Sequence, residues 1–312
     1  MNPNEAEKGP TEFNRRDFIR STSSFGALMM LMGGVPLHAE DKPAEGGSTS
    51  YSTVSASVAC GVIGCGPWGR EIIATLGKLP NAPVVAVCDT YEAFLRRGKE
   101  AAPKAEGFTD YRKLLEQKNV QAVIVATPSH QHREIVVAAL EAGKHVYCEA
   151  PLASSYEDAR AIAQAAKAAG KLNFQSGLQL RSDPQRRFLL QFIRSGSMGK
   201  PIMARSQWHK KESWRRTSPN PERETAINWR LRQESSSGLI GEIGIHQLDL
   251  LSWFLNARPV SVVGSGSILN WKDGREVADT VQSVFEYPSG MNYSYDCTLA
   301  NSFDADYEMI YG

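Results

Sequence analysis

The sequence predicts an α/β fold: a doubly wound parallel sheet in the first half, followed by a second unit rich in β-structure. Three observations lead there. Short, almost wholly apolar runs at 58–63, 84–88 and 122–126 have the composition of strands buried on both faces, and 144–148 reads as another strand. Helical patterns and short turns separate them, the order that a parallel sheet with crossover helices requires. Between the first run and the first helix lies Gly64-Cys65-Gly66-Pro67-Trp68-Gly69, a Gly-x-Gly-x-x-Gly turn in strand–turn–helix context.

The elements follow in order. Residues 1–39 are set aside as a targeting segment. Paired arginines in Asn14-Arg15-Arg16-Asp17-Phe18-Ile19-Arg20 precede an apolar stretch over 25–37, and Leu37-His38-Ala39 supplies a small-residue cleavage site. This is similar to a twin-arginine export signal. The expectations are a periplasmic or otherwise exported protein, the export machinery as a partner, and a cofactor loaded before export and bound firmly. Residues 40–57, rich in Gly, Ser and Thr, read as a tether. A domain over 58–176 then runs strand 58–63, the glycine turn, a helix carrying Glu71, Ile72, Ile73 and Leu76, and strand 84–88 closed by Asp89. It continues with strand 122–126 ended by Thr127-Pro128, helix 132–142, strand 144–148, an Ala-rich helix 156–169 and strand 171–175. The second unit, 177–312, has β-rich or alternating stretches at 201–208, 260–268, 280–287 and 291–299. An irregular insertion over 210–238 is crowded with Arg, Trp and Ser.

Composition narrows the function. Lys+Arg 35 against Asp+Glu 34 gives a net charge of +1, and no basic run stands out, so a nucleic-acid partner is not favoured. No stretch of 18 apolar residues offers an ordinary membrane span. A hydrophobic share of 42% supports a substantial core. Cys60, Cys65, Cys88 and Cys148 fall on or beside expected strands and read as small buried hydrophobes, not as a disulfide framework.

The glycine turn and two other clusters carry the chemistry. Gly64 permits a tight turn, Gly66 lets backbone approach a pyrophosphate, and Gly69 permits close helix–sheet packing. The helix start supplies free N–H groups and a favourable dipole for phosphates. Asp89, twenty residues past Gly69, can accept hydrogen bonds from both ribose hydroxyls and would repel a 2′-phosphate, which favours NAD over NADP. A glycine turn without a ligand is the alternative. Glu242 and His246 are four apart, with Asp249 three further on, and share one face if the segment is helical. A carboxylate-oriented histidine is a general base poised near neutral pH; a hydrogen-bonded core histidine has the same pattern. His130 and His132 lack a third ligand at metal spacing, so no metal is expected. Trp229-Arg230 sets an aromatic face beside a guanidinium, which suits a sugar ring and equally a surface cation–π pair.

Four stretches in this order and spacing identify a resemblance: GVIGCGPWG at 61–69, ATPSHQH at 126–132, AGKHVYCEAPL at 142–152 and GEIGIHQLD at 241–249. Over roughly 58–312 the chain resembles the Gfo/Idh/MocA family of glucose–fructose oxidoreductase and inositol dehydrogenase. The resemblance implies a Rossmann domain followed by an α+β domain with a large open antiparallel sheet. That sheet covers the nicotinamide and commonly joins subunits, so a homo-oligomer is expected. Cofactor contacts are implied for Gly64, Gly66, Pro67, Trp68, Gly69, Asp89, Thr127, Pro128, His132 and Glu149. His246 is implied as the acid/base, with Glu242 where the family usually has aspartate. Arg181, in the stretch 177–184 that resembles the start of the family's second domain, would contact substrate or pair with an acid. Asp249, Trp229 and Arg230 complete the substrate candidates.

Departures from the family pattern matter. Ala150 stands where the family usually has a lysine that assists proton transfer. The chain stops at Tyr307-Glu308-Met309-Ile310-Tyr311-Gly312, similar to the middle of the family's sheet, which reads as a truncation with an open edge. The leading expectation is an exported NAD(P)-dependent oxidoreductase acting on a sugar or polyol by hydride transfer. A redox-neutral NAD-dependent glycoside hydrolase is the alternative, because some family members lacking the lysine are of that kind. A non-catalytic sugar-binding relic that keeps NAD as a structural element is the third.

Overall fold

A computed structural model describes residues 57–312; the expected export signal lies outside the described residues, as does nearly all of the tether. Six strands form a wholly parallel sheet: β1 (Cys60–Ile63), β2 (Val84–Cys88), β3 (Glu106–Phe108), β4 (Ala122–Val125), β5 (His145–Cys148) and β6 (Phe174–Ser176), in spatial order β3-β2-β1-β4-β5-β6. Every residue of β1 is buried, as its apolar sequence requires. Around the sheet pack α1 (Pro67–Leu76), α2 (Glu92–Ala101), α3 (Tyr111–Leu115), α4 (His132–Glu141) and α5 (Tyr156–Ala168). Local chemistry starts these helices. Pro67 sits in the first turn of α1, Asp110 caps α3 by accepting from the Arg112 N–H at 3.0 Å, and Ser155 caps α5 by accepting from the Asp158 N–H at 3.2 Å.

The strand order reverses between β1 and β4, which pair in register with Ile63 opposite Val125. The glycine turn and the loop after β4 therefore leave the same sheet edge side by side. This is the crevice in which ligands bind in such sheets.

The second unit opens with α6 (Pro184–Arg194), capped by Asp183, whose carboxylate accepts from the Gln185 N–H at 2.7 Å. Its sheet holds β7 (Met203–His209), β8 (Ser261–Ser267), β9 (Thr280–Glu286), β10 (Asn292–Thr298) and β11 (Asp306–Tyr311), in order β11-β7-β10-β9-β8. It is mixed, not purely antiparallel: β10 runs parallel to β7, with Tyr293 opposite Ala204. A single sequence reveals strands but not which distant strand lies beside which, so this pairing was not legible. Between β7 and β8 the insertion contains the short helix α7 (Glu224–Ile227), and α8 (Ile245–Leu255) follows a π-helical turn over Ile240–Gly244. Tyr293, Tyr295, Cys297, Leu239 and Leu251 build the core beneath. Among the described residues no helix is long and apolar enough to cross a membrane.

Candidate active site

Three glycines shape the nucleotide edge. Gly64 has φ +99, and a Cβ there would lie 2.5 Å from the Ala126 carbonyl oxygen, so only glycine turns the chain tightly enough to leave β4 in place. A Cβ on Gly69 would lie 1.9 Å from the Gly64 carbonyl oxygen, so the start of α1 rests directly on the turn. A Cβ on Gly66 would meet nothing within 4 Å, which leaves the backbone between the two packed glycines open to a ligand. The N–H groups of the first turn of α1 face outward there. Asp89 closes the turn from β2: one carboxylate oxygen accepts from the Cys65 N–H at 2.8 Å and the other from the Tyr91 N–H at 2.8 Å. Burial raises the Asp89 carboxyl above the ordinary aspartate range, opposed by those two bonds and by Arg223 and Arg70. Each oxygen keeps a further acceptor site for a ribose hydroxyl.

The loop after β4 brings the next residues to this edge. Thr127 Oγ1 and His130 Nδ1 are both buried and have no protein partner. Ser129 is buried and reaches across to the second unit. Pro128 sets the start of a short 3-10 turn over Ser129–Gln131. His132 departs from the expected cofactor contact. It is buried at 1% exposure, its Nε2 lies 2.9 Å from the Thr127 carbonyl and its Nδ1 lies 3.1 Å from the Pro151 carbonyl. Both ring nitrogens face backbone oxygens, so the ring braces the loops after β4 and β5 from behind. Glu149, at the end of β5, is raised by burial, and hydrogen bonding from the Trp68 indole and the Tyr147 phenol opposes the shift. Trp68 itself is exposed, at the mouth of the turn.

From the second unit the π-turn delivers Glu242, and His246 follows in the first turn of α8. Gly244 makes this possible: a Cβ there would lie 3.0 Å from the Tyr295 ring, so the turn sits flat on the sheet. Gln247 ties α8 to β7 by donating from Nε2 to the Gln207 carbonyl at 2.8 Å. Glu242 is buried, and its carboxylate accepts from Ser129 Oγ at 3.2 Å, Ser237 Oγ at 3.1 Å and Ser236 Oγ at 3.4 Å, with Arg230 Nε at 3.6 Å. Burial raises its carboxyl; the Arg230 charge and the serine donors oppose this. The expected pairing of Glu242 with His246 is therefore corrected: serines and an arginine hold Glu242. His246 Nδ1 is buried without a protein partner, and the charge that bears on its ring is Asp249. Burial lowers the His246 imidazole below its usual range, against the pull of Asp249. Asp249 and Arg181, both substrate candidates, are joined instead in a two-pronged ion pair of 2.6 and 2.7 Å, with the guanidinium 5.7 Å from the Trp253 ring centroid.

The insertion completes the wall. The Arg230 guanidinium lies 5.0 Å from the Trp229 ring centroid and 5.7 Å from that of Trp214, and Trp229 lies 6.0 Å from the His130 ring. Trp229 and Arg230 thus face the edge between the two units. Since Glu242 touches Ser129, two residues beyond Thr127, the π-turn, the loop after β4 and the glycine turn border one cleft.

Comparison with known proteins agrees with this architecture. Residues 58–177 match the GFO/IDH/MocA oxidoreductase family, described as an NAD-binding Rossmann fold, and residues 187–312 match the family's C-terminal domain. The 1,5-anhydro-D-fructose reductase of Ensifer adhaerens is 32% identical over 248 residues, 78% of this chain and 70% of that protein. The chain belongs to the Gfo/Idh/MocA family. A second relative, the inositol 2-dehydrogenase of Salmonella typhimurium strain LT2, is 30% identical over 198 residues, 63% of this chain and 54% of that protein. The chain thus matches about half the length of such inositol dehydrogenases. Among solved structures, the WlbA dehydrogenase from Bordetella pertussis in complex with NADH and UDP-GlcNAcA is 25% identical with a TM-score of 0.72, covering 82% of this chain and 76% of that one.

The edge fits the family's NAD. Gly66 leaves room for the pyrophosphate, Asp89 retains acceptors for the adenosine ribose, and the unpartnered Thr127 Oγ1 lies on the adjoining loop. Several residues of this cleft were not found from sequence. Ser129, Ser236 and Ser237 around Glu242 are ordinary loop serines whose convergence depends on a contact 113 residues long in sequence. Arg223, whose guanidinium lies 3.6 Å from the Tyr91 ring centroid beside Asp89, carries no motif at all.

Proposed function

We propose that this chain oxidises or reduces a carbinol of a sugar or polyol with NAD, in an exported location reached through its twin-arginine-like leader. The observation that carries the reading is His246: its Nδ1 has no protein partner, and it stands four residues beyond Glu242, whose carboxylate meets Ser129 of the loop after β4. NAD, when bound, supplies a hydride acceptor. His246, neutral because burial disfavours its cation, takes the hydroxyl proton as the hydride leaves carbon. Trp229 and Arg230 offer the sugar a stacking face and donors, and His130 Nδ1 offers one more polar contact. The names of the relatives, inositol 2-dehydrogenase and 1,5-anhydro-D-fructose reductase, support a polyhydroxylated ring as the substrate class. We further take β8 as a contact between copies of the chain, since Val262 and Val263 are 58% and 73% exposed on an edge strand.

Ala150 favours a second reading. Family members that lack the lysine at that position include redox-neutral glycosidases. There the carbinol would first lose its hydride to NAD and its hydroxyl proton to a base; the ketone acidifies the neighbouring C–H, a base removes that proton, the aglycone leaves, water adds, and hydride and proton return to the ketone. The experiment is to supply purified protein with free sugars and polyols and with aryl glycosides, and to follow absorbance of reduced nicotinamide and release of the aryl alcohol. The proposal expects reduced nicotinamide to form with a free sugar or polyol. Aryl release without net reduction would transfer the assignment to the second reading. Neither signal, with NAD bound, would leave a binding protein.

A further inference from the structure

We infer that residues 210–238 form a strap that holds the cofactor in its cleft, with Arg223 as the clasp at the adenosine end. The strap is fixed at its base to the second unit. Ser213 Oγ donates to Asp273 at 2.9 Å, Arg215 donates to the Asp273 carbonyl at 2.7 Å and Arg232 pairs with Glu276 at 2.6 Å, while Arg215 also pairs with Glu224 within the strap. The Glu276 N–H also donates to the Leu231 carbonyl at 2.8 Å. The insertion is therefore a braced loop, although its sequence has no periodicity.

From that base it touches the first unit at both ends of the nucleotide edge. At the reactive end Trp229 lies against His130. At the other end the planar Arg223 guanidinium lies 3.6 Å from the Tyr91 ring centroid, and Tyr91 follows Asp89 by two residues. The Arg223 charge bears on the Asp89 carboxyl. Its Nε is buried and has no acceptor. A buried guanidinium N–H without a partner is unfavourable until an acceptor arrives. The ribose and phosphate oxygens of the adenosine half are acceptors suited to that edge, and a planar fork on an aromatic ring is pre-set to meet them. A dinucleotide held from Asp89 toward His246 would run between the residues that the strap touches at Tyr91 and His130, so its release would require the strap to lift. The inference rests on NAD as the cofactor and holds whichever reaction the cleft runs.

The test loads the purified protein with isotope-labelled NAD, chases with unlabelled NAD and follows release of label. Uptake of label by the unaltered protein is the first readout, which separates a failure of cofactor binding from a failure of the strap. Label should leave R223A at least tenfold faster, with an apo-protein melting temperature like that of the unaltered chain. R223K, which keeps the charge and removes the planar fork, should also release faster and serves should R223A not fold. R215A should release faster too, because it removes the strap's hold on the Asp273 carbonyl and on Glu224 beside the clasp while keeping the Arg223 side chain itself. Unaltered release from R223A or from R215A would overturn the proposal. So would a loss of affinity confined to NADP with NAD release unchanged, which would make Arg223 a 2′-phosphate ligand.

Discussion

At the scale of single residues, the proposed reaction rests on His246, and its surroundings set the expected pH dependence. Burial favours the neutral ring, so its folded pKa lies below the ordinary 6.5. A reaction that needs the neutral base should keep its rate as pH falls through 6.5 and lose it only lower, through the folded value. The acidic limb of the kcat/KM profile in the oxidation direction is thus expected below pH 6.5. Asp249 raises the His246 pKa, so D249N should move that limb to still lower pH. H246N should lose about 10²–10⁴-fold in rate while binding NAD as before, measured by calorimetry. The glycines were legible because each stands in a local pattern with a physical meaning; His246 was singled out by the family resemblance, since its local pattern equally fits a core histidine. The sequence did not reveal the partners of Glu242 and His132, because the partners of a buried side chain come from other elements. Ser129 and Arg230 on Glu242, and the Thr127 and Pro151 carbonyls on His132, appear only once the loops are side by side.

At the scale of elements, two close approaches seat the two halves of the cleft, and they should fail differently. In G69A the added methyl meets the Gly64 carbonyl, a backbone atom that cannot turn aside. The cost should exceed about 3 kcal/mol, the upper end for overpacking, with loss of NAD binding. In G244A the methyl meets the Tyr295 ring at 3.0 Å and the Ile240 side chain at 3.2 Å, side-chain contacts that need to give by only a few tenths of an ångström. A cost of about 1–3 kcal/mol is expected, with NAD binding kept and turnover reduced as His246 shifts. Chemical denaturation and NAD titration of the two variants separate these outcomes. Strands β1, β2 and β4 were legible because parallel strands buried in the sheet are continuous apolar runs, and β5, His-Val-Tyr-Cys with alternating burial, was legible from its place between helical stretches. The π-turn was not, since Gly238, Gly241 and Gly244 argue against a helix from local propensity while packing on the sheet favours the turn.

At the scale of the whole molecule, the parallel sheet supplies the edge, the mixed sheet supplies the platform, and the chemistry lies where they meet. The parallel β7–β10 pairing is non-local, and no residue pattern announces it. The outer strand β8 is exposed along its whole length, and V263D should shift the particle mass measured by light scattering toward the single chain without lowering NAD affinity. The central claim is that NAD lies across the Gly64–Gly69 turn with its reactive end at His246. Histidine ring resonances followed during an NAD titration test it most directly, without a substrate. His246 and His130 should move as NAD is added, while His145, whose Nδ1 accepts from the Asn173 N–H at 2.9 Å, and His209, on the second sheet, stay in place. Movement of His145 or His209 with His246 unchanged would contradict the account.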